Sequence, residues 1–371
     1  MESSCYSVII AGGKGTRFWP LSRSQRPKQL LKLFGSKALI SETAARVLPL
    51  SGPRRTLVVT VSEQFAALRR ELGGLPNTNF IVEPAGKNTA PCIGLAALEV
   101  VHREPSAVMI VLPADHWVSD VDAFRRTLRN AVRLAREHDH LITVGMRPAY
   151  PETGYGYILK GKPVEDGAGQ RAFHVRRFKE KPSRTAAQAL IRRGSLWNAG
   201  IFICKAAALL ELIRRYQPII WHRLEAIRKA AVGKSLAAVE PRLHSRIARE
   251  YARMPSISID HAVVENAASD RRVLTLEGNF GWNDIGSWAA VHRMLRADRD
   301  GNAGNGPWVG FGAKNCLIHA SDRLVVLLGI ENAVVVDTPD ALLVGDLRRS
   351  QDVRALVEEL KQKGYGSYTV K

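Results

Sequence analysis

Apolar residues gather in short runs at 6–11, 56–61, 79–82, 107–112 and 141–145. Runs of this length between turn residues mark strands buried on both faces. Between them, at 38–47, 63–72, 89–103 and 123–138, apolar positions recur every three to four residues, the period of an amphipathic helix. This alternation predicts an α/β fold built on a Rossmann-like, mostly parallel or mixed sheet covered on both faces. Residues 157–177 read as paired strands and 206–254 as mainly helical.

The character changes after Arg299. Residues 300–307, Asp-Gly-Asn-Ala-Gly-Asn-Gly-Pro, read as a linker of chain breakers. Short β-type runs follow at 316–319, 324–328, 333–336 and 341–344, and 350–363 reads as a closing helix. Their close spacing predicts a small stack of short strands. Two domains are therefore expected, 1–299 and a β-rich 300–371.

Composition narrows the class without naming a function. With 46% hydrophobic and 24% charged residues, the chain reads as globular. No uninterrupted apolar run is long enough to span a bilayer, so no membrane partner is expected. The start, Met-Glu-Ser-Ser-Cys-Tyr, lacks the basic and apolar regions of a secretion signal. Cys5, Cys92, Cys204 and Cys316 show no paired spacing and read as core residues in a reducing cytoplasm. The formal charge of +19 is spread over helical segments such as 123–136 and 209–234, where arginine alternates with alanine and leucine. A nucleic-acid surface would concentrate it in a stripe with aromatics, so no nucleic-acid partner is expected. A share of the charge would focus an anionic substrate into a cleft.

The chemistry begins where the first apolar run ends. Ala11 opens into Gly12-Gly13-Lys14-Gly15-Thr16-Arg17, with Lys28 following in Pro27-Lys28-Gln29. Glycine lets the backbone bend and approach a ligand, and successive amides in such a turn form an anion-binding concavity. The loop leaves the carboxyl end of a strand, the ligand edge of an α/β sheet. The P-loop spacing is absent, and Phe18 stands where the dinucleotide fingerprint needs a small residue. The bland account is a glycine turn with a solvated basic rim.

Further clusters lie downstream. In Val-Leu-Pro-Ala-Asp-His (111–116), Asp115 follows Pro113 at a strand end and can either hold Mg²⁺ or cap a helix. Phe-Gly-Trp-Asn-Asp-Ile-Gly-Ser-Trp (280–288) offers a second carboxylate, Asp284; spacing alone does not bring the two together. In Glu83-Pro84-Ala85-Gly86-Lys87-Asn88-Thr89, Asn88 reads as a helix N-cap. Glu83 there can accept from the N1–H and amino edge of guanine. Gly154-Tyr155-Gly156, Glu180-Lys181-Pro182 and Trp197-Asn198-Ala199-Gly200 suit hydroxyls and a phosphate. Each also has a plain structural account, as a tight turn, an exposed ion pair and a strand start.

The string Gly-Gly-x-Gly-Thr-Arg-x-x-Pro-Leu from Gly12 to Leu21, followed by Pro27-Lys28, resembles the signature of the sugar-nucleotide pyrophosphorylases. Phe18-Trp19, Pro27-Lys28-Gln29 and Glu-Pro-x-x-Lys-Asn-Thr-Ala-Pro (83–91) are similar to elements of the mannose-1-phosphate guanylyltransferases. The motifs run in family order from Val8 to about Trp288, and more weakly through 335–344. The resemblance implies a GT-A-like nucleotidyltransferase domain followed by a short β-helix-like domain. It implies transfer of GMP from GTP to α-D-mannose 1-phosphate, giving GDP-mannose and diphosphate. Nucleotide binding would fall to Ala11, Gly12, Gly13, Lys14, Gly15, Thr16, Arg17, Lys28, Glu83, Lys87, Asn88, Pro113 and Asp115. Sugar-phosphate binding would fall to Gly154, Tyr155, Gly156, Glu180, Lys181, Asn198 and Asp284. Asp115 and Asp284 would hold Mg²⁺, and Arg17, Lys28, Asp115 and Lys181 would form the catalytic set.

The chain departs from the family pattern at 258–266, where His261 replaces a tyrosine and Asn266 a lysine; Asp260 and Glu265 are read there as structural. Many relatives carry a further isomerase domain. The chain ends before one, which predicts a monofunctional enzyme, with a homodimer left open. Two alternatives remain: the same transfer with another hexose 1-phosphate or nucleotide, and a non-catalytic sugar-nucleotide-binding regulatory subunit. The second would be expected to lose Arg17, Lys28 or the aspartates, and all are present.

Overall fold

Nine strands pair in the order Phe80–Glu83, Thr56–Val61, Cys5–Ala11, Val108–Pro113, Leu196–Lys205, Leu141–Met146, Val273–Gly278, Ala172–Glu180 and Gly156–Val164. This computed structural model describes residues 4–13, 15–164, 171–231, 233–237 and 241–370, so Lys14 lies outside the described residues. The first four strands of the order are mutually parallel. Thr56–Val61 is buried at every position, which explains its apolar character; the hydroxyls of Thr56 and Thr60 donate to the Gly52 and Ala11 carbonyls.

The sheet is mixed because Leu196–Lys205 enters antiparallel to both Val108–Pro113 and Leu141–Met146. Gly156–Val164 and Ala172–Glu180 form the expected antiparallel pair. The helix Thr89–Arg103 begins at the predicted cap, where Asn88 Oδ1 accepts from the Thr89 amide at 2.8 Å. It is buried from Ala90 to Val100. Helices Ala206–Tyr216 and Pro218–Ala230 supply Leu209, Ile213, Leu224 and Ile227 to the same core.

The compact units do not follow chain order. One comprises Met1–Gly12, Thr43–Ala114 and Val118–Trp282, and contains the nine-stranded sheet. The other comprises Gly13–Glu42, Asp115–Trp117 and Asn283–Lys371. In the second, Ala303–Asn305, Leu317–His319 and Ala333–Asp337 stack in parallel, and Leu342–Asp346 closes that sheet antiparallel. Trp308–Phe311 and Val325–Leu328 form a second parallel pair. Successive coils thus lay strands on separate faces, the stacked arrangement of a short β-helix. The linker reading of 300–307 needs correction, since Ala303–Asn305 is the first rung of that stack. Val353–Gln362 forms the closing helix. Phe18, Trp288, Leu317, Val336 and Val357 share one core within this unit.

Candidate active site

The second unit brings Arg17, Lys28, Asp115 and Asp284 together. Gly15 takes the left-handed conformation, with φ 60° and ψ 29°, which glycine adopts without steric cost. A Cβ there would lie 2.5 Å from Lys28 Cβ and 2.6 Å from the Lys28 nitrogen. The missing side chain thus lets Thr16–Phe18, a short 3₁₀ turn, press against the backbone of Lys28–Leu30. Gln29 adds a clamp, its Nε2 donating to the Gly13 carbonyl at 3.3 Å.

Lys28 is 7% exposed, far below the norm for lysine. Its ammonium lies 2.9 Å from Asp115 Oδ2 and donates to the Asp284 carbonyl. Burial opposes ionisation of Asp115, yet Lys28, His116 and local hydrogen bonds outweigh it and hold the carboxyl below its usual range. The Asp115 side chain keeps 30% exposure. Asp284 sits in a tight turn in which Asn283 Oδ1 accepts from the Ile285 amide at 2.7 Å. A Cβ on Gly286 would come within 3.2 and 3.3 Å of the two Asp284 carboxylate oxygens and 3.5 Å of an Arg17 guanidinium nitrogen. Glycine at 286 therefore keeps a space that Asp284 and Arg17 border. Arg17 is exposed and donates to Gln351 Oε1 at 3.3 Å.

The first unit holds the base candidates and, Asp284 apart, the sugar-phosphate candidates. Ala11 and Pro113 end neighbouring parallel strands, with Ile10 opposite Pro113. A Cβ on Gly12 would lie 3.3 Å from Glu83 Oε1, so the loop's first glycine runs along that carboxylate. Glu83 is 3% exposed. Burial raises its pKa, opposed by hydrogen bonds from Tyr251 and Cys92. The Tyr251 hydroxyl donates to Glu83 Oε2, a partner the linear pattern did not reveal. Lys87 donates to the Ala252 carbonyl at 2.8 Å.

Around the third cluster, Glu152 Oε1 accepts from the Gly154 amide at 2.9 Å. Tyr155 packs edge-on against Trp197 and Trp282, at 5.2 and 5.3 Å between ring centres. A Cβ on Gly156 would lie 2.7 Å from Glu180 Oε2, so the glycine makes room for that carboxylate. Lys181 Nζ sits 2.6 Å from Glu180 Oε1, and the Tyr155 carbonyl accepts from the Lys181 amide at 3.2 Å.

Asn198 is drawn inward. Its Oδ1 accepts from Thr143 Oγ1 at 2.7 Å and from the Gly200 amide at 3.2 Å, and its Nδ2 donates to Asp260 Oδ1 at 2.9 Å. Asp260 opens a π-helical turn, Asp260–Val264, a feature frequent at functional sites. Burial, reinforced by the Glu180 charge, pushes the Asp260 carboxyl up to about 7. Its neighbour His261 is exposed and lies 3.3 Å from Glu265 Oε2. Reading Asp260 as merely structural overlooked this coupling, which arises only when distant segments fold together.

Residues 6–301 match the Nucleotidyl transferase family, and residues 306–360 the MannoseP isomerase/GMP-like beta-helix domain. Fold and site together define a nucleotidyltransferase carrying a β-helix. The chain is 38% identical over its full length to the mannose-1-phosphate guanylyltransferase of Escherichia coli K12, covering 76% of that protein. It is 38% identical over 99% of its length to the xanthan biosynthesis protein XanB of Xanthomonas campestris pv. campestris, covering 75% of it. A crystal structure described as mannose-1-phosphate geranyltransferase from Thermus thermophilus superposes with a TM-score of 0.84 at 35% identity, covering 96% of this chain and 99% of that one. The chain belongs to the mannose-1-phosphate guanylyltransferase family.

Proposed function

We propose that the chain transfers GMP from GTP to α-D-mannose 1-phosphate, releasing diphosphate and leaving GDP-mannose. The observation that carries this reading is the buried Lys28 ammonium on Asp115 and on the Asp284 backbone, backed by the left-handed Gly15. Such a set suits a triphosphate and a divalent cation far better than a neutral ligand.

The donors fit Mg²⁺. Both are carboxylates, Asp115 is held ionised, and glycine at 286 avoids the crowding of the Asp284 oxygens that a Cβ would bring. Mg²⁺ takes few carboxylates and completes its shell with water and phosphate oxygens. When bound, the ion would neutralise phosphate charge and polarise the reacting phosphorus.

The sugar phosphate oxygen is already ionised at neutral pH, so in-line attack on the α-phosphorus needs no side-chain nucleophile. Catalysis is then positioning and charge stabilisation. The loop amides from Gly12 to Arg17, with the Arg17 and Lys28 side chains, hold the β- and γ-phosphates and stabilise the departing diphosphate. Ala11 and Pro113 supply strand-end backbone beside the nucleotide. Glu83 accepts from the guanine edge, with Lys87 and Asn88 in the adjoining loop. Lys181 holds the incoming phosphate, and Glu180, Asn198 and the Gly154–Gly156 turn take the sugar hydroxyls.

In this reading residues 1–299 form the catalytic domain and 300–371 the β-rich one. No helix among the described residues is long and apolar enough to cross a membrane, and the reaction is assigned to the cytoplasm. The assignment admits a homodimer, which light scattering would reveal. The central experiment measures diphosphate release for each of the four NTPs against mannose, glucose and fucose 1-phosphates. GTP with mannose 1-phosphate is expected to give the highest kcat/KM. Release only with another pair would overturn the assignment.

A further inference from the structure

The strand Cys5–Ala11 delivers the glycine loop at one end. At the other, Cys5 lines a cavity of about 440 Å³, within the range of small-molecule sites. At about 3.3 Å per residue, the strand separates this cavity from the loop by roughly 20 Å.

The helix Val121–Glu137 forms one wall. Arg129, Arg133 and Arg136 all line the cavity. Their spacing of four and then three residues sets them on one helix face. Leu128 and Val132, one helical turn apart, supply an apolar strip, with Leu50 and Cys5 alongside. Among the described residues, no carboxylate lines the cavity. Arg133 also pairs with Glu137 at 3.5 Å, both side chains being at least a third exposed, and such a pair is worth little in water. Burial pushes the Cys5 thiol up to about 12, even though the positive charges of Arg136 and Arg55 pull the other way. The lining thus sets a cationic wall beside an apolar strip.

A solvated arginine face would present these side chains on a convex surface. Here Arg133 and Arg136 are half-buried, and all three arginines line a concavity together with Cys5, Leu50, Leu128 and Val132. Guanidinium groups bind phosphate oxygens through paired, charge-assisted hydrogen bonds, and an apolar strip rewards a flat or apolar body. We propose that this cavity is a second ligand site, binding a phosphorylated small molecule by its phosphate on Arg129, Arg133 and Arg136 and by its body against Cys5, Leu50, Leu128 and Val132. The site stands independently of the guanylyltransferase reading.

The test is equilibrium dialysis of the full chain with labelled GDP, and separately with labelled inorganic phosphate. The wild type is compared with a variant carrying both Arg133→Gln and Arg136→Gln. The expected result is one binding equivalent fewer in the variant, whatever the count in the wild type, with kcat for the transfer unchanged. Loss with GDP alone identifies a ligand read through its body as well as its phosphate; loss with both probes identifies phosphate recognition as sufficient. Equal stoichiometry and affinity in the two proteins, with both probes, would overturn the proposal. Should the double variant unfold, Arg129→Gln serves instead, because Arg129 is exposed. It is expected to weaken the same equivalent by about tenfold, the effect of losing about 1.4 kcal/mol of binding, and an unchanged Kd would count equally against the site.

Discussion

Replacing Asp260 with asparagine should remove a pH dependence that the fold imposes. Burial and the Glu180 charge lift this carboxyl from an ordinary 3.8 to about 7. Below pH 3.8 both folded and unfolded chains carry the proton, and its stabilising effect is fully present. As pH rises from there, the unfolded chain loses the proton while the folded one keeps it, so stability falls. The fall ends once pH has passed through about 7 and the native carboxyl has ionised too. Each pH unit in this window costs about 1.4 kcal/mol. Between pH 5 and pH 8 only the span up to about 7 contributes, so the wild type should lose about 2.7 kcal/mol through this group. Asparagine keeps an oxygen to accept from Asn198 Nδ2 but carries no charge, and so lacks this slope. Urea unfolding of both proteins at pH 5 and pH 8 measures the effect. The wild-type-minus-variant difference should shift by about 2–3 kcal/mol in favour of the variant at pH 8. The KM for mannose 1-phosphate should show an inflection near pH 7 in the wild type alone. Parallel loss of stability in the two proteins would refute the reasoning.

Asp115→Asn should lower kcat with Mg²⁺ by about 10²–10³-fold, the usual effect of losing a preorganised charge at a reacting centre; near-normal turnover would remove Asp115 from the metal site. Gly15→Ala places a Cβ 2.5 Å from Lys28 Cβ at φ 60°. The left-handed backbone alone costs about 1–2 kcal/mol, so a lower melting temperature and a depressed kcat/KM are expected, and an unchanged kcat/KM would show that the loop geometry is not needed. Glu83→Gln keeps an acceptor for Tyr251 but removes the charge from the contact proposed with the guanine edge. The ratio of kcat/KM for GTP over ATP should fall by about tenfold or more, and a preserved ratio would assign base selection elsewhere.

The strands at Thr56–Val61 and Val108–Pro113 could be read directly from the chain, because a segment buried on both faces is dominated by apolar residues. The start of Leu196–Lys205 was legible at Trp197, but the strand's partners were not. Its place between Val108–Pro113 and Leu141–Met146 is set by pairing with distant segments, which local periodicity does not record. Ala303–Asn305 was hidden for the opposite reason. A β-helix coil turns every few residues, so its short strands are embedded among the very glycines and asparagines that signal a linker. At the site, the glycine loop and both metal-ligand candidates were legible from residue type and resemblance. The Asp260–Asn198–Thr143 chain was not, because its meaning lies in burial and in the approach of Glu180.

Lys28 shows why motifs so far apart in the chain belong to one device. Its backbone can approach Thr16–Phe18 only because Gly15 has no side chain, and its ammonium then reaches the Asp115 carboxylate and the Asp284 carbonyl. A buried ammonium without partners would be strongly disfavoured, as would Asp115 held ionised without a cation. Each charge is therefore stable only because the other is in place, and the glycine that permits their meeting is as necessary as the charges. Beyond the proposed contact of its amides with phosphate oxygens, the signature Gly-Gly-x-Gly-Thr-Arg fixes the height at which Lys28 stands. That position keeps Asp115 deprotonated, which is the form a divalent cation requires.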